Sequence, residues 1–321
     1  MILLVPRIGP TRHPQVGGND SCAQSPRSNV LRKYDSARPL IFARLATIPT
    51  WTFLTGLKTH FFLLRSFFLL SVFLCSVLGL AADGQEPRQN YTPRFHPFDG
   101  GEKAVYQASW LGIPVASAEI EMQPVVLDGK KFFQVTVQAR SWRYLDLIFK
   151  MRDTVESTFD AETLHPRRFF FRQRENRKVI DTTAVVDSAT HTWVVNRQEG
   201  KKPKNFEFVS PYTLDPISAA YLARTLDFKV GDRLRLEVFG GKSRYLVTLD
   251  VVARERVSVK KGEFDAYKVV PQVADLSKTG YAKRVRQAAV WITADEKRSP
   301  VKLVSQVFIG SVSIELTEGK R

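Results

Sequence analysis

From about residue 102 onward, runs rich in Val, Thr, Phe and Tyr recur between short clusters of turn residues. Such segments, each roughly 5 to 10 residues long, can bury their apolar side only by pairing edge to edge. The expected strands are 103–110, 115–122, 132–139, 151–159, 167–173, 178–186, 192–196 and 205–209. After an interruption come 233–239, 245–252, 266–273, 284–293, 301–308 and 311–316. Asp128-Gly129-Lys130, Glu199-Gly200-Lys201, Gly240-Gly241 and Lys261-Gly262 mark tight turns. Where alternation is readable, Val135, Val137 and Ala139 face one way, against Gln134, Thr136, Gln138 and Arg140. Tyr245, Val247, Leu249 and Val251 likewise oppose Arg244, Leu246, Thr248 and Asp250. One buried and one wet face is the signature of a curved antiparallel sheet. The expected fold class is therefore all-β: a strongly curved antiparallel sheet or incomplete β-barrel of about a dozen strands.

One helix interrupts this pattern. Asp215 stands at an N-cap position and Pro216 at the first helical position, which predicts a helix over about 215–227 on the concave side of the sheet. Its apolar stripe includes Ile217, Ala220 and Tyr221, with Arg224 at the edge. A second connection, 142–149, reads WRYLDLIF and is unusually apolar for a link between strands. Connections normally run over the surface. These side chains must therefore fill the barrel, cover a cavity mouth, or touch a membrane.

Residues 57–81 read as an export signal, with Lys58 and Arg65 ahead of an apolar core and Gly79-Leu80-Ala81 at its exit. Reading Leu57 as the initiating residue gives a well-proportioned signal cleaved after Ala81; the alternative is a retained anchor. On that reading 1–56 is a disordered or untranslated extension, 82–100 a Pro-punctuated linker and 101–317 a single β-rich domain. The expected location is periplasmic or secreted, with no transmembrane helix after cleavage. Residues 1–81 hold 9 of the 48 Lys and Arg and 2 of the 32 Asp and Glu, leaving 39 and 30 and a net charge near +9. A basic exported surface suits anionic headgroups or envelope polysaccharide, or is simply solvated. Cys22 and Cys75 both precede the cleavage point, so a mature chain has no disulfide or thiolate ligand.

The chemistry-bearing motifs are few. His96, His165 and His191 lack ligand-type spacing, and no Gly-x-Ser-x-Gly elbow occurs. Gly241-Lys242-Ser243 looks like the end of a phosphate loop, but Leu236 stands where that loop needs Gly. The basic and aromatic run 167–178 could stack single-stranded nucleic acid, yet it reads as a strand with Phe inward, and no nucleic-acid partner is expected. Phe159-Asp160 to Pro166 and Thr293 to Pro300 are alike. In each, Asp (Asp160, Asp295) opens a tight connection and Pro (Pro166, Pro300) starts the next strand.

In order along the chain stand Gly101-Glu102, Tyr106, Trp110 to Ala116, Arg152-Asp153, Glu156-Ser157 and Asp160 to Pro166. Asp215 to Ala219, Arg224, Lys261 to Ala266, Trp291 to Asp295, Pro300-Val301 and Gly310 to Leu316 follow. Together these motifs resemble the bacterial envelope family called Domain of Unknown Function 3108, over about residues 100–316. The resemblance implies an exported β-rich protein and carries over no activity, catalytic residue or cofactor. A looser similarity, in the signal, the Asp-turn-Pro hairpins and the helical insertion, is to LolA/LolB-type lipoprotein carriers, whose unclosed barrels hold acyl chains. The expected function is non-catalytic: a monomer binding a lipid or other amphipathic small molecule, without metal or cofactor. Trp110, Phe133, Trp142, Tyr144, Leu147, Phe149, Tyr221 and Trp291 are the candidate cavity or lip residues. The rival reading is a structural or assembly factor contacting an envelope protein or polysaccharide, and an enzyme comes third.

Overall fold

The computed structural model describes residues 90–98, 100–276, 288–307 and 309–320. The expected extension 1–56, the export segment 57–81, the first part of the linker and the start of the expected strand 284–293 lie outside the described residues. Among the described residues, fifteen strands form one sheet. The first eight are β1 (Lys103–Trp110), β2 (Ile113–Leu127), β3 (Lys130–Ser141), β4 (Arg152–Asp160), β5 (Pro166–Glu175), β6 (Lys178–Asp187), β7 (Thr192–Glu199) and β8 (Lys202–Val209). The two-residue β9 (Thr213–Leu214) leads into helix α1 (Pro216–Arg224). The chain continues through β10 (Arg233–Phe239), β11 (Arg244–Val259), β12 (Gly262–Asp275), β13 (Ala288–Thr293), β14 (Pro300–Gln306) and β15 (Ser311–Lys320).

The spatial order is β8-β7-β6-β5-β4-β3-β2-β1-β15-β14-β13-β12-β11-β10-β9. A long meander thus folds back so that β1 pairs with β15, and every pairing is antiparallel except β9 with β10. The curved sheet does not close by backbone pairing, because β8 and β9 remain its two edges. Side chains bridge the seam instead. Phe239 of β10 is fully buried against Trp193, Phe208 and Phe206, with centroids 5.5, 5.5 and 6.2 Å away. Arg244 lies 4.9 Å over the Phe208 ring, and Arg197 donates to the Gly241 carbonyl of the β10–β11 turn at 3.5 Å.

Period-two burial explains the curvature. Val135, Val137 and Ala139 are buried, as are Asp153, Val155, Ser157 and Phe159 on the neighbouring strand. Alternate positions remain at least partly wet, so one face carries the apolar driving force. A smaller cluster of Tyr106, Val257, Ala266, Val301 and Leu316 packs the far ends of β11 and β12 against β1, β14 and β15.

Helix α1 lies on the concave side, as the cap predicted, but it is shorter than expected and ends at Arg224. Thr225 closes it, its hydroxyl donating to the Leu222 carbonyl at 2.7 Å. Leu226 and Phe228 continue the apolar pattern as buried residues outside the helix. The segment read as a linker carries two anchors. Tyr91 accepts the Arg235 N–H at 3.0 Å, and Phe98 is buried beside Tyr221 and Phe133.

Candidate functional site

Helix α1 organises the interior, and Asp215 fixes the helix. Its carboxylate is fully buried, accepting the N–H groups of Ile217 and Ser218 at 2.8 and 3.0 Å and the Ser157 hydroxyl at 2.6 Å. Ser218 reciprocates by accepting the Asp215 N–H at 3.1 Å, a capping box. Burial raises the Asp215 pKa, opposed by these donors. The helix start is thereby tied to β4. Small residues then set how closely the helix approaches the sheet. Pro216, Ala219, Ala220 and Ala223 stand off from Leu236, Val247, Leu249 and Val273, leaving an apolar groove of about 50 Å³. That is space for roughly four water-sized spheres. Ala220, expected on the buried stripe, is exposed at the groove; Ala219, Leu222 and Ala223 are buried instead.

Arg224, expected at the stripe's edge, is buried in an ion pair. Its guanidinium donates to both Glu102 oxygens at 3.0 and 2.9 Å and to the carbonyls of Arg298 and Lys297 at 3.1 and 3.2 Å. It also lies 4.9 Å over Tyr221 and 5.3 Å over Phe98. Burial alone would lower its pKa, but the carboxylate beside it holds the group above its ordinary value. Burial raises the phenol pKa of Tyr106 and of Tyr221. Tyr106 donates to the Pro300 carbonyl at 2.8 Å. Glu102, Tyr106 and Arg224 border a mixed polar and apolar cleft of about 170 Å³ that also reaches Lys261, Asp295 and Lys297.

The eight candidate cavity or lip residues go to three places. Phe133 and Tyr221 join Phe98 and Phe159 in the core. Trp291 lies on the wall between β12 and β14, 5.3 Å from the Lys268 ammonium, and donates to Glu255 at 2.7 Å. Trp110, Trp142, Tyr144, Leu147 and Phe149 come together at one rim of the sheet. There 142–149 forms a single 3-10 turn (Arg143–Leu145) followed by a hydrogen-bonded turn at 146–148. Trp142, Tyr144, Leu147 and Ile148 are exposed and so do not fill the barrel, while Leu145 and Phe149 are half-buried.

The hairpin residues act through backbone geometry. Asp160 accepts the N–H groups of Glu162 and Thr163 at 2.9 and 2.8 Å, and Asp295 accepts that of Lys297 at 3.1 Å. Leu164 and Arg298 hold matching left-handed conformations, φ 60° and 48°, two residues before Pro166 and Pro300. Asp153 is buried, accepting the Arg174 N–H at 2.7 Å. Burial pushes its pKa up to about 6, against that hydrogen bond and with help from Glu175. His165 and His191, distant in sequence, come within electrostatic reach; burial and then His191 lower the pKa of His165. Among the described residues no group of three His, Cys, Asp or Glu is placed to hold a metal ion. The pairing of Glu102 with Arg224 and the groove were missed from sequence, since neither a contact 122 residues apart nor three alanines carries a pattern.

A family described as "Protein of unknown function (DUF3108)" matches residues 105–317. No curated protein matches the chain. Among solved structures it is similar to a β-barrel-like protein of the DUF1849 domain family from Brucella abortus. Identity there is 10%, over 69% of this chain and 97% of that one, with a TM-score of 0.45. It is also similar to a lipoprotein candidate from Parabacteroides distasonis (10% identity, 72% and 100% coverage, TM-score 0.30). A protein with a YmcC-like fold from Bacteroides fragilis matches at 12% identity, 71% and 100% coverage and a TM-score of 0.28.

Proposed function

This chain belongs to the DUF3108 family of proteins of unknown function, and from that premise we propose a non-catalytic protein of the cell envelope that holds part of an amphipathic ligand. The observation that carries the reading is the groove beside α1, whose walls are apolar residues and whose mouth reaches solvent at Ala220. An apolar concavity near a few placed polar groups is the usual form of a small-molecule site. Its volume suits a short apolar end, such as the terminus of an acyl chain, rather than a whole lipid. The export-type segment 57–81 supports a periplasmic or secreted location.

Titration with a fluorescent fatty-acid probe tests the proposal. Ala220→Phe puts a ring into the groove from a solvent-facing position, so it should weaken probe binding by roughly tenfold or more while leaving the melting temperature unchanged. A wild-type protein that takes up no probe, or an Ala220→Phe variant that binds as well as wild type, would contradict it. A second reading, contact with an envelope protein or polysaccharide, is favoured by the larger cleft bordered by Lys261, Asp295 and Lys297. It predicts binding that survives Ala220→Phe and is lost in Lys261→Glu/Lys297→Glu.

A further inference from the structure

In an antiparallel meander, alternate connections lie at the same rim. The β3–β4, β1–β2 and β14–β15 connections are neighbours at one rim, because the strands they join lie side by side in the order β4-β3-β2-β1-β15-β14. Direct bonds tie them together. The Trp142 N–H donates to the Val115 carbonyl at 3.0 Å, and the Leu111 N–H to that of Ser311 at 3.4 Å. The Tyr144 hydroxyl donates to the Pro114 carbonyl, and the Trp110 indole N–H to that of Ile309 at 2.8 Å.

On this braced platform the apolar side chains point at water. Leu147 is 99% exposed and Ile148 79%, and Leu111, Ile113, Trp142 and Ile309 are exposed beside them. Every exposed Trp or Tyr among the described residues lies here. A contiguous apolar surface of this kind marks a contact. The β1–β2 turn strengthens the point. Leu111 and Gly112 both have positive φ, 50° and 83°, in a two-residue turn where Asn-Gly would be the relaxed choice. Leu111 is held in that strained conformation with its side chain lying beside Gly310 of the β14–β15 turn and still 60% exposed.

Charge identifies the partner. The described connections at this rim carry five exposed cations, Arg143, Lys150, Arg177, Lys201 and Lys242, against one carboxylate. That carboxylate, Asp146, is already bound by Arg152 at 2.7 Å. The hairpins of the opposite rim are balanced, with Asp128, Glu162, Asp295 and Glu296 facing Lys260, Lys261, Lys297 and Arg298. Apolar tips ringed by cations fit the headgroup boundary of an anionic bilayer. Trp110 and Tyr144 have already bonded their polar ends to carbonyls, so their rings can enter that layer without an unmet donor.

We propose that this rim docks on an anionic phospholipid surface, with the tips at Leu111 and at Leu147-Ile148 entering the interface and the cations contacting headgroups. The inference is independent of the groove, and Ala220→Phe should leave it untouched.

The test uses the full chain with vesicles of phosphatidylglycerol or of phosphatidylcholine, each containing brominated lipid that quenches indole fluorescence. The difference in quenching between wild type and Trp110→Phe/Trp142→Phe reports those two rings alone, so the apolar segment 61–80 cannot supply it. The expected result is strong quenching of that difference signal on phosphatidylglycerol, weakened by high salt and weak on phosphatidylcholine. Leu147→Asp/Ile148→Asp should reduce it by roughly tenfold or more with unchanged melting. Arg143→Glu/Lys150→Glu provides an independent loss without touching the apolar tips. No quenching difference, or variants that behave as wild type, would overturn the proposal. So would concentration-dependent dimerisation through this rim without vesicle binding.

Discussion

The seam aromatics and the rim aromatics are the same residue types put to opposite uses. Trp193, Phe208 and Phe239 lie inside, ring against ring, and hold together edges that the backbone leaves unpaired. Trp110, Trp142 and Tyr144 sit on strand ends and connections and stay exposed. Position relative to the pleat makes the difference. Within a strand, period two sends alternate side chains into the core; beyond the strand end no such rule applies, and the side chain stays where the turn leaves it. Apolar character therefore measures stability at the seam and contact at the rim.

The largest break in this comparison should come at the seam. Phe239→Ala removes a fully buried ring shared by four aromatic neighbours. It should cost about 3–5 kcal/mol in chemical denaturation; a loss near zero would mean that the seam is not packed. The next effect is at the helix start. Asp215→Ala leaves two helix N–H groups and the Ser157 hydroxyl without their acceptor, an expected loss of about 1–2 kcal/mol. Asp215→Asn should lose less, since it keeps an acceptor.

A smaller effect appears only as a pH dependence. Asp153 holds its proton up to about pH 6, whereas the unfolded chain releases it near the ordinary value of 3.8. Between those values the folded state binds more protons, so this group's contribution to stability falls as pH rises and then levels off above about 6. Asp153→Asn should remove that fall and raise stability at neutral pH relative to wild type. Urea unfolding across this window reads it; an unchanged pH profile would show that Asp153 is not the group responsible.

Much of this architecture was legible from residue pattern. Strands Lys103–Trp110 and Arg233–Phe239 match their expected bounds, because apolar alternation and flanking turn residues coincide there. β11 runs on to Val259, past the expected residue 252, because pairing with β12 carries it through a charged stretch where alternation is lost. β9 has two residues and no period to read. The candidate site was legible only in part. The apolar run 142–149 was visible, but its meeting with Leu111 and Ile113 depends on the β2–β3 pairing and its meeting with Ile309 on the β1–β15 pairing between the two ends of the β-rich domain. Trp291 and Phe133 were grouped with the lip for their size; their strand positions sent one to the wall and the other to the core.

Thermal unfolding of Leu147→Asp/Ile148→Asp beside Phe239→Ala tests the division between seam and rim most directly. In a domain of this size each kcal/mol moves the midpoint by roughly 2–4 °C. The rim variant should melt with wild type even though it carries two new charges, while Phe239→Ala should melt about ten degrees lower. A rim variant that falls as far as Phe239→Ala would mean that the exposed apolar surface holds the fold together, and the account would fail.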